Sequence, residues 1–274
     1  MLSTNNQSNV TQWIAQRTKK IFGFRITPTT QQNIIDATVL SVKQREQLII
    51  VHQNLHGLYL ANTNEAYRQL HALPQSLVHI DGYPIVYLAW LHGLFYTRLK
   101  HRTAIHDWLP PYTQAAGENG YRIYCIGSSD DVNQRAVRAL SDLAPNAVIK
   151  GHSGYFDATI GSPDNQVLLD DITDFDPTIV IVGMGMGRQE QWILDNEGAL
   201  GNRCIIAVGA CLEYMAGEMS MCPRWFGPFG LEMVWRLASH PRRYAHRYLI
   251  EPWLLLGLLI KNGRLFYRDR KLND

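Results

Sequence analysis

An α/β fold, a parallel sheet with flanking helices, is predicted by three features of this 274-residue sequence. Six short apolar runs recur along it, most of them separated by stretches of helical periodicity, which is the alternation of β-α-β units. The clearest run, Thr178–Val182, is nearly continuous Ile and Val, the pattern of a strand buried on both faces. It empties into Gly183-Met-Gly185-Met-Gly187, and glycines placed there let backbone N–H groups approach a ligand at the start of the next helix. The spacing G-x-G-x-G is not the dinucleotide fingerprint G-x-G-x-x-G, so a ligand-free strand-to-helix turn fits these residues equally well.

Taken in order, residues 1–20 are polar and expected to be poorly ordered, with a turn of helix available over Val10–Ala15. Thr27–Leu48 has helical spacing behind a Thr-Pro-Thr-Thr start rich in capping chemistry. The six strands are expected at Leu48–His52, Ser76–Ile80, Tyr121–Gly127, Ala147–Lys150, Thr178–Val182 and Cys204–Val208. Helices are expected at Leu58–Leu73, Pro84–His92, Pro111–Asn119, Val132–Leu143 and Arg188–Gly198. After Val208 the pattern changes. Tyr214–Glu218 and Met221–Gly230, rich in Gly, Pro and aromatics, read as irregular; Leu231–Ser239 reads as helix, and Arg242–Asn262 as one long helix after Pro241.

Composition narrows the classes. A hydrophobic fraction of 46% with 18% charged residues fits a globular protein with a sizeable core. The net charge of +2 is unevenly spread: residues 236–274 carry nine Lys/Arg against three Asp/Glu, leaving the rest mildly acidic. A basic tail suggests an anionic partner, be it nucleic acid, a phosphorylated ligand or an anionic membrane. Cys125, Cys204, Cys211 and Cys222 form no C-x-x-C pair and read as reduced thiols of a cytosolic protein. Met1–Val10 lacks the apolar segment of a signal peptide. The longest C-terminal apolar run, Trp253–Ile260, has eight residues, against the roughly 20 needed to span a bilayer. A soluble protein, or one lying on a membrane, is expected.

In parallel sheets ligands bind beyond the carboxyl ends of the strands. Five of the six ends contain Gly, and only one, at Asp81-Gly82-Tyr83-Pro84, places a carboxylate at the strand exit. On its own that stretch also reads as a helix N-terminus capped by Asp81.

The order of several motifs is distinctive: Asp81-Gly82, Gly154-Tyr155-Phe156, Gly185-Met-Gly-Arg-Gln189-Glu190-Gln-Trp192, Ala216-Gly217, Pro223-Arg224-Trp225, Gly230-Leu231-Glu232, Arg236-Leu237, Pro241-Arg-Arg243 and Arg247-Tyr248. From about Ile26 to Leu255 the sequence resembles the WecG/TagA/CpsF family of bacterial glycosyltransferases. That resemblance implies a Rossmann-like core over 26–210, preceded by an N-terminal extension (1–25) and followed by a basic, helical, membrane-facing appendage (211–274). It implies inverting transfer of a sugar from a UDP-sugar to a polyprenyl-diphosphate-linked saccharide on the inner face of the cytoplasmic membrane, for surface-polysaccharide synthesis. The sugar would be N-acetylmannosamine, its uronic acid, or a hexose such as glucose. Neither nucleic acid nor a cofactor enters this reading; an anionic membrane surface does, and a homo-oligomer is compatible with it.

By the same resemblance Asp81 is the general base, its pKa expected to be raised by a low-dielectric cleft. Gly185 and Gln189 line the donor site, with Glu190 structural and Arg188 a cation near phosphate. Asn54 matches the second position of a family Thr-x-Asn whose first is His52 here, and Arg102 aligns with a cleft arginine. Arg236, Arg243 and Arg247 match the appendage arginines that offset charge on departing UDP; lipid headgroups are the other anion they suit. Asp174-Phe-Asp176 has D-x-D metal spacing but precedes its strand, so metal-independent transfer is expected. Glu213, Cys222 and Met233 depart from the family's usual Asp, Ala and Trp. Two other classes are weighed against the glycosyltransferase: a nucleotide-binding oxidoreductase, and a non-catalytic membrane adaptor that kept the fold.

Overall fold

The computed structural model describes residues 9–95, 97–222 and 231–265. After an N-terminal helix, α1 (Val10–Arg17), strands β1 (Lys19–Ile21) and β2 (Phe24–Ile26) form a hairpin. Phe22 and Gly23 both adopt left-handed φ (50° and 81°) at its tip, matching the right-handed twist of the two strands. Val10 and Ile14 are buried in the core with Leu48 and Ile50, and Ile21 and Phe24 with Leu58 and Ile80, so residues 10–25, set apart in the sequence reading, pack on the body.

Helix α2 (Gln31–Gln44) begins with a reciprocal cap between Thr30 and Asn33. Then follow β3 (Leu48–Gln53), α3 (Leu55–Thr63), α4 (Glu65–Ala72), β4 (Ser76–Ile80), α5 (Tyr83–Leu91) and α6 (Ile105–Glu118). The single helix expected over Leu58–Leu73 is two, because Asn64 is extended and caps α4 by accepting the Tyr67 N–H. Next come β5 (Arg122–Gly127), α7 (Asp130–Leu143), β6 (Val148–His152), α8 (Pro163–Phe175), β7 (Ile179–Gly183), α9 (Arg188–Asp195), α10 (Glu197–Leu200), β8 (Cys204–Ala207) and α11 (Cys211–Met215).

All six expected strands form one parallel sheet of order β4-β3-β8-β7-β5-β6. One core layer packs α1, α2 and α6 against Ile50, Ile123, Ile181 and Ile206. The other packs α8 and α9 against Val51, Ile126, Val182 and Ile205. The chain leaves β5 towards β6 on one side and β7 towards β8 on the other, so the loops after β5 and β7 diverge and open a crevice. Gly127 and Gly183 face each other there, and a Cβ on Gly127 would meet the Gly183 carbonyl oxygen at 2.3 Å. Only glycine permits that approach.

The C-terminal part comprises α12 (Glu232–Ser239), α13 (Pro241–Ala245), a π-helical turn (His246–Ile250) and α14 (Glu251–Lys261). The expected single helix over Arg242–Asn262 is thus interrupted. Pro252, in the first turn of α14, has no N–H to donate to the preceding turn, and the helix opens to π geometry just before it. Leu255 and Leu259 are buried in a third cluster with Leu58 and Ile85, anchoring α14 on α3 and α5. Tyr214–Glu218, expected to be irregular, begins inside α11. Pro223-Arg224-Trp225 and Gly230 lie outside the described residues.

Candidate active site

β3 and β4 run in parallel register with His52 opposite His79 and Gln53 opposite Ile80. The Asp81 N–H donates to the Gln53 carbonyl at 3.0 Å, which carries the pairing one step past the strands. Side chains two positions apart share a face of a strand, so His52 and Asn54 project to the same side as His79 and Asp81. Asn54 is the N-cap of α3: its Oδ1 accepts the Gly57 N–H at 2.9 Å, and its Nδ2 donates to Asp81 Oδ2 at 3.1 Å. The N-cap of α5 is Gly82 and carries no side-chain cap bond, so Asp81 is not a helix cap.

Asp81 stands where two recesses meet. One is walled largely by apolar and aromatic groups, among them Leu55, Tyr83, Pro84, Met233 and Tyr248. The other is more polar and runs past His52, Gly185 and Gly209 to Arg243. They enclose about 610 and 690 Å³ including their open mouths. Asn54, His56, Arg236 and Arg247 border both. A third recess continues from Gly185 and Arg243 into the β5/β7 crevice, reaching Ser128, Gly154 and Arg188.

The three C-terminal arginines meet here, each differently held. Arg236 is half-buried; burial opposes its charge, but the phenols of Tyr214 and Tyr248 and the Asp81 carboxylate hold it firmly protonated. Arg243 grips Glu213 through both terminal nitrogens, at 2.6 and 3.3 Å. Arg247 reaches Asn54 Oδ1 at 3.4 Å and Met186 Sδ at 3.7 Å, while its buried Nε has no partner. An under-satisfied guanidinium bordering a cleft is a receptor for an anion.

Two sequence-predicted contacts are corrected. Gln189 is fully buried and borders none of these recesses: its Oε1 accepts the Gly209 N–H at 2.9 Å and its Nε2 donates to Glu190 Oε1 at 2.8 Å. It ties the loop after β8 to the start of α9. Glu190 is structural as expected, closing the helix start through the Gly187 N–H at 2.5 Å. Arg102 is bound to Glu232 of α12 and to Asp107 at 3.2 Å, and its guanidinium lies 4.6 Å over the Tyr83 ring. That makes it a strut between α6 and the appendage. Gly185 does border the cleft, with φ 85° and open space where a Cβ would stand. Asp176 caps α8 and pairs with Arg203 at the opposite end of the sheet from Asp81.

The expected upward shift of Asp81 is also corrected. Burial alone would raise its pKa, but His52, Arg236 and His79 together with the Asn54 hydrogen bond outweigh it and hold the carboxyl at about 2. Asp81 is therefore a fixed carboxylate beside fixed guanidinium. His52, named from the sequence only as standing where the family has Thr, and His56, in the first turn of α3, both border the polar recess. Their position at and just beyond the end of β3 was the available signal.

An α/β core with a carboxylate at its open edge, arginines opposite and no G-x-G-x-x-G loop is the frame of a glycosyltransferase rather than of a nucleotide-binding oxidoreductase. The chain belongs to the glycosyl transferase WecG/TagA/CpsF family, whose model matches residues 19–270, and it is a transferase of that class. It is similar to the N-acetylglucosaminyldiphosphoundecaprenol N-acetyl-beta-D-mannosaminyltransferases of Staphylococcus aureus strains MRSA252 and NCTC 8325. Each is 27% identical over 218 residues, covering 79% of this chain and 82% of the relative. Among the described residues no helix is long and apolar enough to cross a membrane.

Proposed function

We propose that this protein transfers a sugar, with inversion, from a UDP-sugar to a saccharide carried on a polyprenyl diphosphate, working at an anionic membrane surface. The observation that carries the reading is the position of Asp81 between a polar recess rich in arginine and a recess with apolar walls. The nucleotide and diphosphate suit the polar side, where Arg236, Arg243 and Arg247 match phosphate charge with forked donors. The acceptor suits the apolar side, which opens between α5 and the appendage. Asp81 takes the proton of the acceptor hydroxyl as its oxygen attacks the sugar C1, and the C1–O bond breaks with its electron pair leaving on the β-phosphate.

The similarity to the two N-acetylmannosaminyltransferases favours an N-acetylmannosamine-type donor and an N-acetylglucosamine-diphosphate-lipid acceptor. A uronic acid or a hexose such as glucose remains within the same chemistry. Incubation with a panel of UDP-sugars and a polyprenyl-diphosphate-linked N-acetylglucosamine, following UDP release and lipid product, tests the proposal. Transfer is expected with one donor well above the others. Absence of both turnover and UDP binding across the panel would refute it.

A further inference from the structure

His52 stands in the floor of the polar recess, and none of the steps above uses it. Its side chain is 3% exposed. Nδ1 lies 3.2 Å from the Ala207 carbonyl oxygen at the end of β8. A carbonyl only accepts, so Nδ1 carries the hydrogen and Nε2 is left as a bare lone pair. Among the described residues Nε2 has no hydrogen-bond partner, and the ring borders the same recess as Asp81. A Cβ at Gly209 would lie 3.9 Å from His52 Cε1, so the glycine leaves that edge of the imidazole open to the recess.

The groups around the ring bear on what it can hold. From β4 come His79, its ring centroid 6.0 Å away, and Asp81. From α3 comes His56, from α4 His71, from α9 Glu190, and from the appendage Arg236 and Arg247.

We propose that His52 is a second proton acceptor of the transfer site, its bare Nε2 receiving from Asp81 the proton that leaves the attacking hydroxyl. The inference rests on the glycosyltransferase reading of the cleft. The acceptor O–H bond breaks and the new O–C1 bond forms. The bond from C1 to the phosphate oxygen breaks with its electrons on UDP, and the proton, taken first by Asp81, ends on Nε2 as an imidazolium facing the restored Asp81 carboxylate. Asp81 and His52 border the same recess, so the proton can pass from one to the other.

Two substitutions separate proton uptake from hydrogen bonding. His52→Asn retains a donor where Nδ1 meets Ala207, and His52→Gln places an amide near the position of Nε2; neither side chain can take a proton. Both variants are expected to lose about 100-fold in kcat, with KM for donor and acceptor changed by no more than about threefold. Wild-type turnover in His52→Gln would reduce His52 to a hydrogen-bonding contact and overturn the proposal. The wild-type reaction run alongside reports separately on the glycosyltransferase reading. A readout independent of turnover is 15N NMR of the histidines, with His52→Asn identifying the resonance. A protonated Nδ1 and bare Nε2 at neutral pH are expected, shifting on addition of UDP; a hydrogen on Nε2 would overturn the proposal whether or not sugar is transferred.

Discussion

Asp81 is tied down by neighbours on three sides: Asn54 donates to it, Arg236 fixes its charge, and the backbone N–H of its own residue is spent on Gln53. Its role is open to a clean test, because Asp81→Asn preserves shape and keeps a polar partner for Asn54. Turnover should fall by about 10²–10⁴-fold while UDP affinity, measured by calorimetry, stays within a few-fold. Near-normal rates would remove Asp81 from the chemistry. At this scale the sequence was informative where a residue's position decides its role and silent where its partners do. Asp81 could be located from a strand exit alone. Gln189 could not, since one amide serves equally for a sugar edge or for the Gly209 N–H, and only the packing of α9 on β8 distinguishes them. Arg102 went astray for a similar reason: its partner Glu232 lies 130 residues away in the chain.

Among the elements, five of the six strands were legible because they are buried on both faces and carry apolar runs; β6, at the sheet edge, is largely exposed and opens with only Val148 and Ile149. The β1–β2 hairpin was hidden by a Phe-Gly turn in place of a familiar Asn-Gly or Asp-Gly, and α8 was passed over although Ser162-Pro163 opens it. Burial of polar side chains between elements has a consequence for acid stability. Enclosure pushes His71, between α4 and β3, and His79, on β4, down to about 3. The unfolded chain, with histidines near 6.5, then binds protons that the fold refuses, so stability is full above that value and falls as pH drops towards 3. Each histidine contributes a slope of about 1.4 kcal/mol per pH unit across that window, an upper figure for a rigid interior. Asp81 adds a further loss between 3.8 and about 2. Melting temperatures recorded from pH 7 to 4 should decline steadily; a flat profile would mean that these rings are solvated in the native state.

Over the whole molecule, chemistry is drawn from both ends of the chain: the carboxylate from β4, the cations from beyond residue 235. The two parts are joined by more than apolar packing, since Glu251 accepts from His56 at 2.6 Å and lies 3.3 Å from His246. The outer face of the appendage carries Leu249, Trp253, Leu256 and Ile260, all exposed and spaced along one helical stripe. Exchanging Trp253, Leu256 and Ile260 for serine should leave the melting temperature within about 2 °C but strongly reduce co-sedimentation with vesicles containing anionic lipid. Unchanged sedimentation would assign the stripe to another partner. Deleting the segment would be a poorer test, because Leu255 and Leu259 on its inner side belong to the core.

Arg236 borders both recesses, and one guanidinium cannot serve two anions at full strength. While the site is empty it holds the Asp81 carboxylate weak; when a diphosphate settles against it, part of that hold passes to the phosphate and Asp81 becomes the stronger base. Water entering an empty site therefore meets a base that is switched off. On the proposed function, the expected order of addition is nucleotide sugar first, lipid second. UDP should then inhibit competitively against the donor and non-competitively against the acceptor, and a random pattern in product-inhibition kinetics would show that Arg236 imposes no sequence on the two substrates.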